Sequence, residues 1–245
     1  MSINIRTLLS KAVSAIKEKL GISSFTWGEF ETKLNEAVNG ADAFSKRLFE
    51  DSTIKIKFEA GQHKLPDESE NVANVNLVIP EGIEEVKNSL FANVRDIGTI
   101  TFPNTLKTIR QKAFQNLFTG NPLHITFGNN LETIEEFAFY NCSMETLVFP
   151  DSLKTIKSYA FGNCQYNLIS VKMGSGINDI EDRAFDNCAI LEEVDFSKCS
   201  AVPTCGKNSF AQCSYKLKIK VPSALLSQWK SADVWKDYAD KIVGV

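Results

Sequence analysis

A short apolar run closed by one fixed position returns seven times along this chain. Taking the residue after the run as an anchor gives Pro80, Pro103, Gly128, Pro150, Gly174, Ser197 and Pro222, at intervals of 23, 25, 22, 24, 23 and 25 residues. A phenylalanine follows each of the first six anchors, at Phe91, Phe114, Phe139, Phe161, Phe185 and Phe210. A unit this short cannot bury its own apolar face, so units repeated in register must stack into a solenoid.

The alternation inside the unit gives its local structure. One residue before the anchors stand Ile79, Phe102, Phe127, Phe149, Met173, Phe196 and Val221; three before stand Leu77, Ile100, Ile125, Leu147, Val171, Val194 and Ile219. All are apolar, and the residues between them are mostly polar. Period-two alternation predicts a strand with one buried and one solvated face. The strands all run the same way around the coil, so they stack as a parallel sheet. Its outward positions include Thr99, Thr101, His124, Thr126, Thr146, Lys172, Glu193 and Asp195. A second apolar pair follows three and six residues after the anchor, as in Leu106 and Ile109 or Leu153 and Ile156. An Ala-Phe element then closes the turn.

Leu153-x-x-Ile156 followed by Ala160-Phe161-x-Asn163-Cys164, with Phe149-Pro150 ahead, closely resembles the BspA-type (treponemal) leucine-rich repeat. The resemblance covers about residues 75 to 222. It implies a mainly β solenoid of the leucine-rich-repeat type. It also implies the settings in which such repeats occur: bacterial surface adhesins, protist surface proteins, and tail or fibre proteins of phages of gut bacteria. Departures are local: Gly128, Gly174 and Ser197 replace the usual Pro, and Ala201-Val202-Pro203-Thr204-Cys205 distorts the sixth unit.

Three regions follow. Residues 1–50 do not repeat and read as an α-helical module. Ile5, Leu9, Ala12, Ile16 and Leu20 share one helix face, and Thr26-Trp27-Gly28-Glu29 is a capping box for a second helix. That face suits attachment, assembly or self-association. Residues 51–222 form the solenoid, with 51–74 as a degenerate capping rung (Ile54-Lys55-Ile56-Lys57-Phe58) and a polar loop. Residues 223–245 read as a helical cap with Leu225, Leu226 and Trp229 inward and a further turn carrying Trp235 and Tyr238. This ending is similar to the tails of phage-borne members of the repeat family.

Composition narrows the chemistry. A net charge of -3 gives no reason to expect nucleic acid or membrane insertion, and no apolar run approaches the ~18 residues that span a bilayer. The N-terminus has no uninterrupted apolar core and no small-residue cleavage site, which argues against a secretory signal. Cys142, Cys164, Cys188 and Cys213 share one place in the repeat and read as a ladder of buried, reduced thiols rather than metal ligands. His124 stands among threonines with no carboxylate beside it, and the pair Glu193 and Asp195 reads as a solvated acidic spot without the cleft a glycosidase needs. Asn93, Asn116, Asn141, Asn163 and Asn187 recur as turn residues expected to satisfy backbone groups of neighbouring coils. No cofactor, metal site or catalytic residue is predicted.

What remains is a broad strand face, about 30 Å long for seven strands at ~4.8 Å spacing. Its first rungs are rich in Thr and its last are charged. The expectation is a non-enzymatic virion protein of tail, fibre or collar type. Its N-terminal helices would meet other virion proteins, and its face would meet a host cell-surface protein or glycan. A bacterial surface adhesin and an intracellular scaffold are the alternatives.

Overall fold

Every apolar run ahead of an anchor forms a strand, and a second, two-residue strand forms where the following apolar pair falls. The computed structural model describes residues 75–79, 81–94, 97–117 and 122–245. The helical module expected over 1–50, with its assembly face Ile5, Leu9, Ala12, Ile16 and Leu20, and the capping rung expected over 51–74 lie outside the described residues. The longer strands are β1 (Val75–Val78), β3 (Ile97–Thr101), β5 (His124–Thr126), β7 (Thr146–Val148), β9 (Ser170–Lys172), β11 (Glu193–Asp195) and β13 (Lys218–Val221). Between them come β2 (Glu85–Val86), β4 (Thr108–Ile109), β6 (Thr133–Ile134), β8 (Thr155–Ile156), β10 (Asp179–Ile180) and β12 (Thr204–Cys205). All pairings are parallel and run coil to coil, so each coil contributes one strand to a long-strand face and one to a short-strand face. The segment read as distorted still supplies β12, because Cys205 pairs with Ile180 and takes the buried place that Val86 holds in β2 and Ile holds in the other short strands.

The core is built by repetition. Of the fourteen inward strand positions all are buried but Ile125, and the apolar pairs of the short strands are buried as well. Phe91, Phe114, Phe139, Phe161, Phe185 and Phe210 form one continuous stack, with centroids 5.0 to 5.5 Å apart and planes within 8°. Each such pair contributes about 0.5–1.5 kcal/mol beyond the area it buries. The four ladder cysteines sit beside this stack. Cys142, Cys164, Cys188 and Cys213 donate their thiols to the carbonyls of Phe114, Phe139, Phe161 and Phe185, at 3.0, 3.4, 3.3 and 3.3 Å. The thiol therefore satisfies the carbonyl of the ring residue on the coil before it. Burial raises the Cys142 and Cys188 thiols well above their ordinary range.

The turns around each Phe use two left-handed residues four positions apart. Lys112 and Asn116, Phe137 and Asn141, Tyr159 and Asn163, and Arg183 and Asn187 all have φ between 56° and 61°. Asn tolerates this region better than other side-chain-bearing residues, which accounts for its recurrence. The asparagines do not spend their side chains on backbone groups, as the sequence suggested. They bond one another: Asn116, Asn141, Asn163 and Asn187 each donate through Nδ2 to the Oδ1 of the preceding Asn, at 2.6 to 2.9 Å. The neighbouring backbone N–H groups already have carbonyl partners across the coils, so the amides are free to form a ladder.

The long-strand face is not one sheet. β1, β3 and β5 form a three-stranded sheet, and β7, β9, β11, β13 and β14 a five-stranded one. Between β5 and β7 the coils are joined instead by the Leu123–Met144 bridge, with Leu123 N–H donating to Ser143 O at 2.6 Å. This coil is the shortest, 22 residues from Gly128 to Pro150, and only five positions lead from Cys142 to Leu147 where seven lead from Cys164 to Val171. Pairing falls upstream of the strands, and Ile125 is left half-buried.

The cap is more than helical. A 3-10 turn (Ser223–Leu225), the short helix α1 (Leu226–Ser231) and a second 3-10 turn (Trp235–Tyr238) lead into β14 (Ile242–Gly244), which adds a parallel strand to β13. Trp229 and Trp235 are fully buried against Phe196, with centroids 4.9 and 5.4 Å from it, and Trp235 Nε1–H donates to Pro203 O at 2.7 Å. Ser231 does not cap the next turn; its hydroxyl returns to the carbonyls of Ser227 and Gln228.

Candidate functional site

The two faces treat their polar side chains differently. On the short-strand side, charges are matched between coils: Glu84 with Lys107, Glu132 with Lys154, and Arg110 with both Glu85 (2.7 Å) and Glu135 (2.9 Å). Hydrogen bonds from those two carboxylates raise the Arg110 guanidinium further above its ordinary value. A face laced in this way presents neutralised pairs. It is a poor place for a partner to find unmatched groups.

On the long-strand face, Thr101, His124, Thr126 and Thr146 are exposed, as are Val148 and Lys172. The structure brings Thr99, Thr101, His124 and Thr126 together on β3 and β5, where Thr99 pairs with His124 and Thr101 with Thr126. Thr99 is half-buried and donates to Asn76 Oδ1 at 2.8 Å, so it is less open than the other three. Thr146 stands across the interruption on β7, with its hydroxyl 3.2 Å from that of Ser170. The hydroxyl-rich patch is thus two patches. Sequence periodicity could not show this, because Ile125 and Leu147 keep the apolar pattern on both sides of the break.

Further along, the acidic spot is engaged rather than merely solvated. Glu193 bonds Lys220 at 2.7 Å, an interaction that raises the lysine's pKa, and Asp195 Oδ1 accepts the N–H of Ser197 at 2.8 Å. Both carboxylates are half-buried. Among the described residues no three His, Cys, Asp or Glu side chains converge to hold a metal ion, and no helix is long and apolar enough to cross a membrane. The arrangement offers hydrogen bonding over an extended surface.

The sequence missed one element of this face. Tyr166, Ile190 and Tyr215 each lie two residues after a ladder cysteine and are exposed, whereas Met144 in the same place is buried. The signal was present in the spacing. From the cysteine to the inward strand residue there are five positions in the coil of Met144, then seven, six and six in the coils of Tyr166, Ile190 and Tyr215. The longer connections bulge outward and carry these side chains with them.

Comparison with known proteins gives one family and a likeness of fold. The profile of a family described as BspA type leucine rich repeat region matches residues 68–143 and 118–232, in six copies. No curated protein sequence matches the chain. Among solved structures, the pneumococcal vaccine antigen PcpA is similar with a TM-score of 0.56 at 20% identity, over 71% of this chain and 42% of that one. A leucine-rich-repeat protein of T. pallidum aligns at 21% identity over 69% and 83% of the two chains, with a TM-score of 0.37. A leucine-rich cell-surface protein of Faecalibacterium prausnitzii aligns at 21% over 61% and 54%, with a TM-score of 0.24. The first likeness is one of fold, and this chain spans less than half of that antigen's length.

Proposed function

Because the chain belongs to the BspA-type leucine-rich-repeat family, we propose that it is a non-enzymatic adhesion protein that binds a host-surface partner through its long-strand face. The contrast between the short-strand face and the β3–β7 part of the long-strand face carries this reading: the first carries cross-coil ion pairs, the second presents exposed hydroxyls, an imidazole and Val148. Solenoids use such extended faces for macromolecular binding. Hydroxyls and imidazole can bond a partner without the desolvation cost of unpaired charge.

A phage particle is the carrier that the C-terminal resemblance favours, with residues 1–50 contacting other virion proteins or a second copy of the chain. Display on a bacterial surface is the alternative, in keeping with the likeness of fold to the pneumococcal antigen. The test of binding replaces the exposed threonines Thr101, Thr126 and Thr146 by Lys and first checks that the melting temperature is unchanged. A folded variant that no longer binds host cells supports the face; wild-type binding overturns it. Labelling with antibody separates the carriers, since it decorates either purified particles or intact bacteria.

A further inference from the structure

Next to β9, β11 and β13 the long-strand face opens into a groove of about 780 Å³. Its lining mixes two kinds of surface. Ile169 and the ring of Tyr215 are apolar; Ser170, Glu192, Glu193, Lys216 and Lys218 are hydrogen-bonding groups. Tyr215 is 87% exposed, and its one recorded contact is Lys216 Nζ, 5.8 Å from the ring centroid. So large a ring left in water is unusual, and it is not isolated. Tyr166 and Ile190 hold the same place on the two preceding coils and are exposed too, at 71% and 38%.

The chemistry of the lining restricts what fits. Two glutamates and two lysines balance, and Glu192 already pairs with Lys216 at 3.5 Å and Glu193 with Lys220 at 2.7 Å. A polyanion such as nucleic acid or a sulfated chain gains nothing from a neutral groove. A lipid or flat apolar cofactor would take those ion pairs and the Lys218 ammonium out of water with no new hydrogen bond in return. The volume lies in the range of small-ligand sites, about 300–1,000 Å³. A ligand with one apolar face and a rim of neutral hydroxyls matches both halves of the lining. The ring takes the C–H face, while carboxylate oxygens, the Ser170 hydroxyl and the lysine ammoniums take the hydroxyls. Ser170, Glu193 and Lys218 hold one register position on successive strands, ~4.8 Å apart, and so line up three different hydrogen-bonding groups along the groove.

We propose that this groove is a subsite for a neutral oligosaccharide, with Tyr215 as its stacking platform and Ser170, Glu192, Glu193 and Lys218 as hydroxyl partners. The assignment rests on the reading of the long-strand face as the binding surface. The full chain is tested against printed neutral, N-acetylated, sialylated and sulfated oligosaccharides, and the best neutral binder is then titrated by calorimetry. Tyr215→Ala is expected to weaken that binding by about tenfold or more while Tyr215→Phe, which keeps the ring, stays within about threefold. Glu193→Gln should also weaken it, with all melting temperatures unchanged. Binding confined to anionic glycans, absence of glycan binding, or neutral-glycan binding indifferent to Tyr215→Ala overturns the proposal. Host cells stripped of surface glycan separate this failure from failure of the wider reading. Adhesion that survives stripping yet is lost with the threonine variant keeps the face and replaces the sugar by a protein. Loss of adhesion on stripped cells, together with the Tyr215 effect, supports the sugar.

Discussion

At the C-terminal end of the stack the last ladder ring, Phe210, lies under Trp235 and Tyr238, with centroids 5.9 and 5.8 Å away, and β14 covers the edge of β13. At the first described coil Phe91 is half-buried, and its one ring partner among the described residues is Phe114. Among the described residues, β1 pairs with β3 and β2 with β4. The interior coils need no such finish, since each is covered by its own repeat on both sides. The difference teaches that closing a solenoid takes sequence outside the repeat: the 223–245 segment has no anchor and no Asn-Cys step, yet it buries two tryptophans.

Substitutions at the two ends sharpen or break that comparison. Trp235→Ala should cost about 3–5 kcal/mol, as should Phe161→Ala in the interior, the usual penalty for emptying a buried aromatic site. Phe91→Ala should cost only about 1–2 kcal/mol, because a half-exposed ring forfeits less burial and a single stacked neighbour. Denaturant melts of the three variants give the ranking, and equal losses for Trp235 and Phe91 would erase the distinction between the ends.

Alkali probes the cap next. Burial pushes Tyr238 up to about 12 and Cys205 up to about 12, so both stay protonated in the fold at pH values where the unfolded chain ionises them. A raised folded-state pKa gives stability that is complete below the unfolded value and is lost as pH rises through the folded one. Stability should therefore fall from pH ~9, through the buried thiols of Cys142, Cys188 and Cys205, and further from ~10 to ~12, through Tyr238. Tyr238→Phe should flatten the upper part of that fall in melts taken between these values; an unchanged slope would remove Tyr238 from the account.

Two smaller effects test how far the ends differ from the middle in polar terms. Asn141→Ala breaks two amide bonds and forces a left-handed φ on Ala, for about 1–2 kcal/mol, while Asn93→Ala loses one such bond at the ladder's end and should cost less. Arg110→Ala removes two partly exposed ion pairs and should cost under about 1 kcal/mol, shrinking further in high salt. Melting curves at low and high salt measure it.

The strand face, the inward residues, the Phe stack and the place of the cysteines could all be read from spacing, because each follows from which side of a coil a position faces. Three things could not. The interruption between β5 and β7 depends on how a 22-residue coil settles against its neighbours, which apolar alternation does not encode. The Asn ladder was legible as a recurrence but not as a set of amide-to-amide bonds, since that depends on the backbone groups being satisfied elsewhere. The exposed ring of Tyr215 in the groove goes with a Cys-to-strand connection one residue longer than that of Met144, a difference visible only once the regular path is known. The Gly anchors also gain a reason. A Cβ at Gly128 or Gly174 would lie 2.0 or 2.1 Å from the carbonyl oxygen of Pro103 or Pro150, so these positions trade Pro for the one residue that fits.

The thiol that closes each phenylalanine carbonyl has a consequence for how such genes change length. Ring meets ring, amide meets amide and thiol meets carbonyl at each junction between the coils of Phe114, Phe139, Phe161 and Phe185, so along this edge the top of one coil is the template for the bottom of the next. An in-frame duplication or loss of the unit between Cys164 and Cys188 joins surfaces that already fit, with β7, β9 and β11 paired in one sheet. Recombination can thus lengthen or shorten the displayed face by whole steps while each new junction inherits a tested seam.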